Sequence, residues 1–242
     1  MLLIALALLV GAGLGTAFVA RGARSHPKIT GIELNRPVPD VPLLDASGRR
    51  VRLSDFRGKV VVLSPTLTLC HEVCPLTTGA FIAMRQAVDR AGLGDRVVFA
   101  EISVDPWRDS PARLRAFTRS TGIRFPILTG TLTNLHLFWK FFGVGFLRTP
   151  QGRPPDVDWW THRPETFDVG HTDGLFFVDE RGRERIALLG MPDVGGKLEA
   201  RLRGLLSGAG LANLAHPQAP WTEEQALADL GSLLGKRIPP PP

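Results

Sequence analysis

Cysteine is scarce in this sequence. The 242 residues contain two, Cys70 and Cys74, separated by three residues. They cannot supply the two paired cysteine knuckles and four ligands of most structural zinc sites. A disulfide that closes so short a loop would also contribute little to stability. The pair therefore predicts a redox couple or a soft-metal site, with a structural disulfide or inert core thiols as the simpler alternative.

Runs of basic residues interleaved with aromatics are also missing, although the net charge is +6 and the pI is near 10.1. Nucleic-acid binding is therefore not expected, and an anionic membrane surface or an acidic partner fits the basic balance better. No internal repeat is evident. With 44% hydrophobic residues, the chain can bury an ordinary core without disulfides, which predicts one globular domain plus extensions.

Charged side chains are absent from residues 1–20, which are rich in Leu, Ala, Val and Gly. This length is just enough to span a bilayer, so we expect an uncleaved membrane anchor, with a cleaved signal sequence as the alternative. Residues 21–34 form a linker. No basic residue precedes the apolar segment, so the positive-inside rule alone would leave the domain in the cytoplasm.

Strand and helix patterns alternate along the rest of the chain, which predicts an α/β fold with a central mixed sheet flanked by helices. Buried strands are expected at residues 59–64 and 97–104, helices at 75–92, 111–121 and 132–142, and a hairpin at 174–179 and 185–189. Residues 143–170 form a long loop whose Trp159 and Trp160 either dock a partner or bury the loop. Residues 191–242 form a C-terminal extension with helices at 194–206 and 222–234, a flexible segment between them and a Pro-rich tail.

The two thiols lie where the first long strand passes into a helix. A helix N-terminus carries partial positive charge, which favours thiolate over thiol. If the segment between the cysteines is helical, both sulfurs share one face, one turn apart. His171 precedes the strand expected beside the thiol-bearing strand, so it can meet Cys70 and Cys74. Two thiolates and an imidazole suit copper in either oxidation state. A lone loop histidine, however, is more often structural, and zinc would need a fourth ligand from His71 or from outside.

Other side chains with ligand chemistry receive structural interpretations. Asp105 and Asp109 follow the second buried strand and are expected to brace the loop rather than bind metal. Met84 and Met191 are expected to pack in the interior. Four further histidines are interpreted as surface or packing residues: His26, His136, His162 and His216.

Taken in order, these features resemble the Sco/SenC family of copper-binding, thioredoxin-like proteins involved in cytochrome c oxidase assembly. The resemblance rests on the anchor, on Cys70-x-x-x-Cys74-Pro75, on the run from Asp105 to Pro111, and on His171 ahead of the strand at 175–179. It implies a thioredoxin-like Sco/SenC domain over residues 35–190. It also implies that Cys70, Cys74 and His171 bind one copper ion per domain, on the outer face of the membrane.

Three positions depart from the family pattern. His71 replaces the proline that usually follows the first cysteine, and it can add a ligand or support the thiolates. Residues 64–69 lack the aromatic side chains common upstream of that cysteine. Val169 and Gly170 precede His171 where the family commonly has an acidic residue, which removes a carboxylate that would orient the histidine.

The resemblance implies a membrane-anchored copper chaperone that receives copper from an upstream donor and delivers it to the copper-binding subunit of cytochrome c oxidase. The alternative is a thiol-disulfide oxidoreductase that reduces the cysteines of that subunit, with Cys70 attacking and Cys74 resolving. A reductase has little need of His171, so this residue distinguishes the two hypotheses. A peroxidase and a protein-docking scaffold are weaker alternatives.

Overall fold

The computed structural model describes residues 29–218 and 221–240. The predicted membrane anchor at residues 1–20 and most of the linker lie outside these ranges. No helix within them is long and apolar enough to cross a membrane.

Short strands alternate with helices along the described chain. The strands are β1 (Ile32–Pro37), β2 (Leu43–Leu44), β3 (Arg50–Val51), β4 (Val60–Thr66), β5 (Val97–Ser103), β6 (Ile127–Leu128), β7 (Phe146–Thr149), β8 (Asp168–His171), β9 (Gly174–Val178), β10 (Arg183–Leu189), β11 (Pro192–Asp193) and β12 (Trp221–Thr222). The α-helices are α1 (Cys74–Arg90), α2 (Pro111–Thr121), α3 (Leu132–Phe142), α4 (Ala200–Arg203), α5 (Gly208–Ala215) and α6 (Glu223–Leu234). Short 3₁₀ turns occupy Leu53–Phe56 and Gly94–Arg96.

A six-stranded sheet with the order β1-β10-β9-β4-β5-β6 forms the centre of the molecule. Strand β4 runs parallel to β5 and antiparallel to β9. All seven residues of β4 are buried, as its nearly continuous apolar run predicts. The mixed sheet confirms the predicted α/β class, and β9 is the neighbour that was expected beside the thiol-bearing strand.

Two hydrophobic layers cover the two faces of this sheet, and β4 contributes to both through its alternating side chains. Val60 and Val62 face the layer that contains α1 and α6. In this layer the ring of Phe81 packs edge-on against the ring of Phe99, with 5.4 Å between the ring centroids. Val61 and Leu63 face the second layer, which is filled by aromatic side chains of α3. The end of β4 is therefore held rigidly from both sides.

The predicted boundaries of α2 and α3 are confirmed by their capping residues. Ser110 accepts a hydrogen bond from the backbone N–H of Arg113, and α2 ends at Gly122 with φ 76°. Thr131 caps α3 in the same way, and α3 ends at Gly143 with φ 74°. Side-chain oxygens at the start and glycine at a left-handed end are the usual signals of helix termini.

Two segments differ from their predicted structure. Residues 143–170 do not form an irregular loop throughout. They contain β7 and most of β8, and these two strands pair antiparallel. The helix predicted at 194–206 is reduced to the four residues of α4. Gly195 and Gly196 both have positive φ, 59° and 71°, and this conformation interrupts a helix.

The predicted flexible segment after residue 206 contains α5, which is capped by Ser207. The predicted helix at 222–234 is confirmed as α6, with a capping box at Thr222. Asp229 of α6 accepts hydrogen bonds from the backbone N–H of Thr30 and of Gly31. The C-terminal residues therefore pack against the same core as the rest of the chain.

Candidate metal centre

The loop that carries the cysteines joins the end of β4 to the start of α1. Cys74 is the first residue of α1, and the residues between Cys70 and Cys74 are not helical. The two thiols therefore do not meet as neighbours one turn apart on a helix. Instead, the backbone N–H of Cys74, at the helix N-terminus, donates to Cys70 Sγ over 3.3 Å. Both cysteines are free thiols, with Cys70 half-buried and Cys74 buried.

His171 is brought to the thiols by the pairing of two short strands. It is the last residue of β8, opposite Phe146 of β7, and it lies just before β9, the antiparallel neighbour of β4. His171 Nε2 lies 3.8 Å from Cys74 Sγ. The ligand atoms of Cys70, Cys74 and His171 all lie within 4.8 Å of one another. The three residues named from the sequence thus converge on one point.

A cavity of about 190 Å³ opens onto this cluster. Its lining combines apolar walls from Leu67 and Leu69 with four carboxylates, those of Glu72, Asp156, Asp168 and Asp173. These four carboxylates outnumber the two imidazoles, of His71 and His171, that also line the cavity. Such a lining favours the approach of a cation over that of an anion.

The two thiols have opposite acid-base properties. The hydrogen bond from the Cys74 thiol, together with a hydrogen bond and the charge of His171, holds the pKa of Cys70 well below its usual value despite burial. Burial, followed by the nearby Cys70 thiolate, raises the pKa of Cys74 well above its usual value. In the metal-free pair, Cys70 therefore ionises before Cys74.

The imidazole of His171 is oriented through its other nitrogen. Nδ1 lies 3.2 Å from the carbonyl oxygen of Thr172 and 3.4 Å from Asp173 Oδ1. A proton on Nδ1 leaves the Nε2 lone pair directed toward the thiols. Burial opposes protonation, but the hydrogen bond with Cys70 and the charge of Asp173 raise the pKa of His171 to about 9. A metal ion at Nε2 therefore competes with a proton.

Asp173 is a site residue that the sequence analysis missed. No carboxylate was expected to orient His171, because Val169 and Gly170 stand directly before it. The structure places one two residues after it, which corrects the expectation. A Thr-Asp-Gly run between a histidine and a buried strand was the available signal, since the turn can direct the carboxylate back to the imidazole ring.

Asp105 and Asp109 lie where bracing side chains were expected. Asp109 accepts hydrogen bonds from the Thr68 hydroxyl at 2.6 Å and the Ser103 hydroxyl at 2.7 Å. Burial, and then the charge of Asp105, raises the pKa of Asp109 to about 7. Asp105 pairs with Arg108 at 2.6 Å. Asp109 thus fixes the loop two residues before Cys70, and neither carboxylate belongs to the ligand cluster.

His71 follows Cys70 directly but does not face the cluster. Its Nδ1 lies 2.8 Å from the carbonyl oxygen of Leu205, and its Nε2 lies 3.1 Å from Glu165 Oε1. The Glu165 carboxylate raises the pKa of His71 to about 9 against the effect of burial. Because both ring nitrogens are directed at oxygen acceptors, neither offers a lone pair to a metal. The structure therefore does not support His71 as a fourth ligand.

The long loop is anchored by Trp159, whose Nε1 donates to the carbonyl oxygen of Thr68 at 2.7 Å and whose ring packs against Phe117. Trp159 thus buries the loop against the domain, whereas Trp160 is 44% exposed.

The remaining candidate ligands lie away from the cluster. Met84 is a core residue, as predicted. Met191 is half-buried, and three histidines are exposed, His136, His162 and His216. His26 lies outside the described residues.

The fold and the cluster together define a class of protein: a thioredoxin-like domain with a dithiol and an imidazole at the end of the central strand. The sequence profile of the SCO1/SenC family matches residues 35–193, more than half of the chain. The chain therefore belongs to the SCO1/SenC family.

Individual proteins agree with this membership. The chain is 30% identical over 186 residues to the mitochondrial SCO2 homologue of Bos taurus, covering 74% of this chain and 68% of that protein. It is 28% identical over 141 residues to the protein sco1 of Schizosaccharomyces pombe, covering 58% of this chain and half of that protein. The copper-bound structure of Bradyrhizobium japonicum ScoI shares the fold, with a TM-score of 0.53 at 21% identity over 74% of this chain and 98% of that one.

Proposed function

We propose that this protein is a copper chaperone that holds one copper ion at Cys70, Cys74 and His171. It would deliver the ion to the copper-binding subunit of a cytochrome c oxidase during its assembly. The observation that carries the proposal is the convergence of two thiols and an imidazole within 4.8 Å at the end of the central strand. The family supports it, and the copper bound by the B. japonicum relative is consistent with it.

The donor set fits copper as cargo. Thiolate sulfur and imidazole nitrogen are the ligands that copper prefers, whereas a structural zinc ion would need a fourth donor. Cys70 ionises more readily than Cys74, and the N-terminus of α1 stabilises the thiolate charge. Cys74 and His171 would each lose a proton on binding. Asp173 would hold the His171 ring with Nε2 directed at the ion.

Delivery requires a site that a partner can reach. The half-buried Cys70 and the cavity at the cluster provide access from one side. Thiolates of the recipient subunit would replace those of Cys70 and Cys74 one at a time, so that copper is never released to water. We further propose that the upstream donor approaches the same opening. The domain would lie on the extracytoplasmic side of a membrane, held by the apolar segment at residues 1–20.

Anaerobic titration of the reduced protein with copper(I), against a chromophoric chelator, tests the proposal. We expect one tightly bound ion per chain. Cys70→Ala, Cys74→Ala and His171→Ala should each weaken binding by more than the roughly 10- to 100-fold typical of losing a partner outside the ligand set. His216→Ala, which removes an exposed histidine remote from the cluster in sequence, is the matched control. Affinity that is equal in His171→Ala and His216→Ala would refute the three-ligand site.

The second candidate function is that of a thiol-disulfide oxidoreductase acting on the cysteines of the recipient subunit. The observation that favours it is the opposite pKa displacement of the two thiols. The accessible Cys70 thiolate would attack a target disulfide, and the buried Cys74 would resolve the mixed disulfide. Reduction of a model disulfide peptide by the wild type that is lost in Cys70→Ala, together with weak copper(I) binding by the wild type, would favour this function over copper delivery.

A further inference from the structure

The loop between the two cysteines is covered by a segment from the far end of the chain. His71 and Glu72 lie in that loop, and residues 205–210 cross over them. Ser207 donates to the carbonyl oxygen of His71 twice, from its backbone N–H at 2.9 Å and from its hydroxyl at 3.2 Å. In return, the His71 ring donates through Nδ1 to the carbonyl oxygen of Leu205 at 2.8 Å.

The packing beneath these hydrogen bonds is close. Gly210, in the first turn of α5, lies directly against the loop. A Cβ at this position would collide with the carbonyl oxygen of His71 and would lie 3.1 Å from the Cα of Glu72. Only glycine allows the helix to approach the loop backbone this closely. Ser207 also accepts a hydrogen bond from the Gly210 N–H. The same serine therefore caps α5 and binds the loop.

The other side of His71 is fixed by a buried ionic network. Its Nε2 lies 3.1 Å from Glu165, and Glu165 pairs with Arg108 at 2.8 Å. Arg108 pairs with Asp105, which follows β5. The cysteine loop is thus held between residues 205–210 on one side and the rigid end of the sheet on the other.

We propose that residues 205–210 clamp the loop between the cysteines in its dithiol geometry, so that this segment sets how readily the pair oxidises. The sulfurs of a disulfide must approach to about 2 Å, whereas the two cysteines here are free thiols, and closing the bond would draw Cys70 toward Cys74. A loop pinned at His71 resists that movement. The extension of the proposal to copper, that the clamp prolongs retention of the ion, rests on the proposed function.

Two glycines of α5 provide a matched test. Gly210→Ala places a methyl group against the loop backbone, whereas Gly208→Ala, two residues earlier in the same helical turn, meets no atom within 4 Å. Alanine favours a helix over glycine at either position. The two variants therefore change helix propensity alike and differ in their contact with the loop.

The first readout is the equilibrium of the metal-free protein with glutathione. Each disulfide formed transfers two electrons and two protons to one oxidised glutathione and yields two reduced glutathione molecules. We expect Gly210→Ala to favour the disulfide about tenfold over wild type, a potential lower by about 30 mV, and Gly208→Ala to match wild type. Equal equilibria in the two variants would overturn the clamp.

Ser207→Asp provides a second variant in case Gly210→Ala does not fold. Aspartate preserves the cap of α5, but its carboxylate has no proton to donate to the His71 carbonyl oxygen and is repelled by it. It should shift the glutathione equilibrium in the same direction, and an unchanged equilibrium would overturn the proposal.

The second readout, the rate of copper(I) transfer to a chelator, should rise about tenfold in Gly210→Ala. If wild type binds no copper, the proposed function fails, while the glutathione measurement still decides the clamp.

Discussion

The carboxyl group of Glu101 lies in the centre of the sheet. Its protonation state determines how the free energy of unfolding should change with pH. It lies on β5 beside the thiol-bearing strand and is fully buried. Its Oε1 accepts a hydrogen bond from the Thr78 hydroxyl at 2.7 Å. Its Oε2 has no hydrogen-bond partner among the described residues. Burial raises the pKa of Glu101 from 4.5 to about 8, so the neutral form predominates at pH 7.

A pKa that is higher in the folded state makes stability fall as the pH rises. The contribution of neutral Glu101 is fully present below the unfolded-state pKa of 4.5, and it is lost as the pH rises toward 8. At about 1.4 kcal/mol per pH unit, this loss is about 3 to 4 kcal/mol between pH 5 and pH 8. Above pH 8 the loss levels off, because the carboxyl group then ionises in both states.

Glu101→Gln isolates this contribution. The glutamine carbonyl oxygen can accept the Thr78 hydrogen bond, and its amide takes the place of the protonated oxygen. We expect the variant to match wild type at pH 5 and to exceed it by about 3 kcal/mol at pH 8. The assay is urea unfolding of the reduced, metal-free protein at several pH values. Taking the difference between the two proteins cancels the titration of all other groups. A difference that does not change with pH would refute a buried neutral Glu101.

Three further predictions follow from side chains outside the ligand cluster. Asp173→Asn should weaken copper(I) binding by about 10- to 100-fold, as measured by chelator competition, because His171 loses the charge that orients its ring. Asp158→Ala should lower the free energy of unfolding by about 3 kcal/mol in urea, because the buried Arg113 guanidinium loses the carboxylate that accepts two of its hydrogen bonds; an unchanged midpoint would contradict this. Asp229→Ala removes the acceptor of three hydrogen bonds from the start of the described chain. It should speed hydrogen exchange of β1 at least tenfold while β4 exchanges as in wild type.

Glu101 and the thiol pair are connected by their placement in the fold. Thr78, which holds Glu101, lies one turn after Cys74 on the same helix. An ionised Glu101 would raise the energy of the Cys70 thiolate, whereas the neutral acid does not. The buried position of Glu101 therefore keeps a negative charge away from a site that depends on a thiolate at neutral pH.

The sequence by itself determined the central strands, the ends of α2 and α3, and which side chains carry ligand chemistry. The apolar run at residues 60–63 specified a buried strand, and Ser110 and Gly122 marked the ends of α2, because these signals lie within a few residues of the structure they specify. The scarcity of cysteine, together with a histidine before an apolar strand, indicated the three side chains that converge in the structure.

The tertiary structure decided how those side chains are held. Asp173 reaches His171 because of the turn into β9. The two ring nitrogens of His71 contact the carbonyl oxygen of Leu205 and the carboxylate of Glu165, which are remote in sequence. The pairing of β7 with β8 places His171, and α5 occupies a segment expected to be flexible, where Gly210 fits closely against the cysteine loop. Each of these features depends on contacts between residues far apart in the chain. Such contacts leave no local pattern, so packing alone determines them.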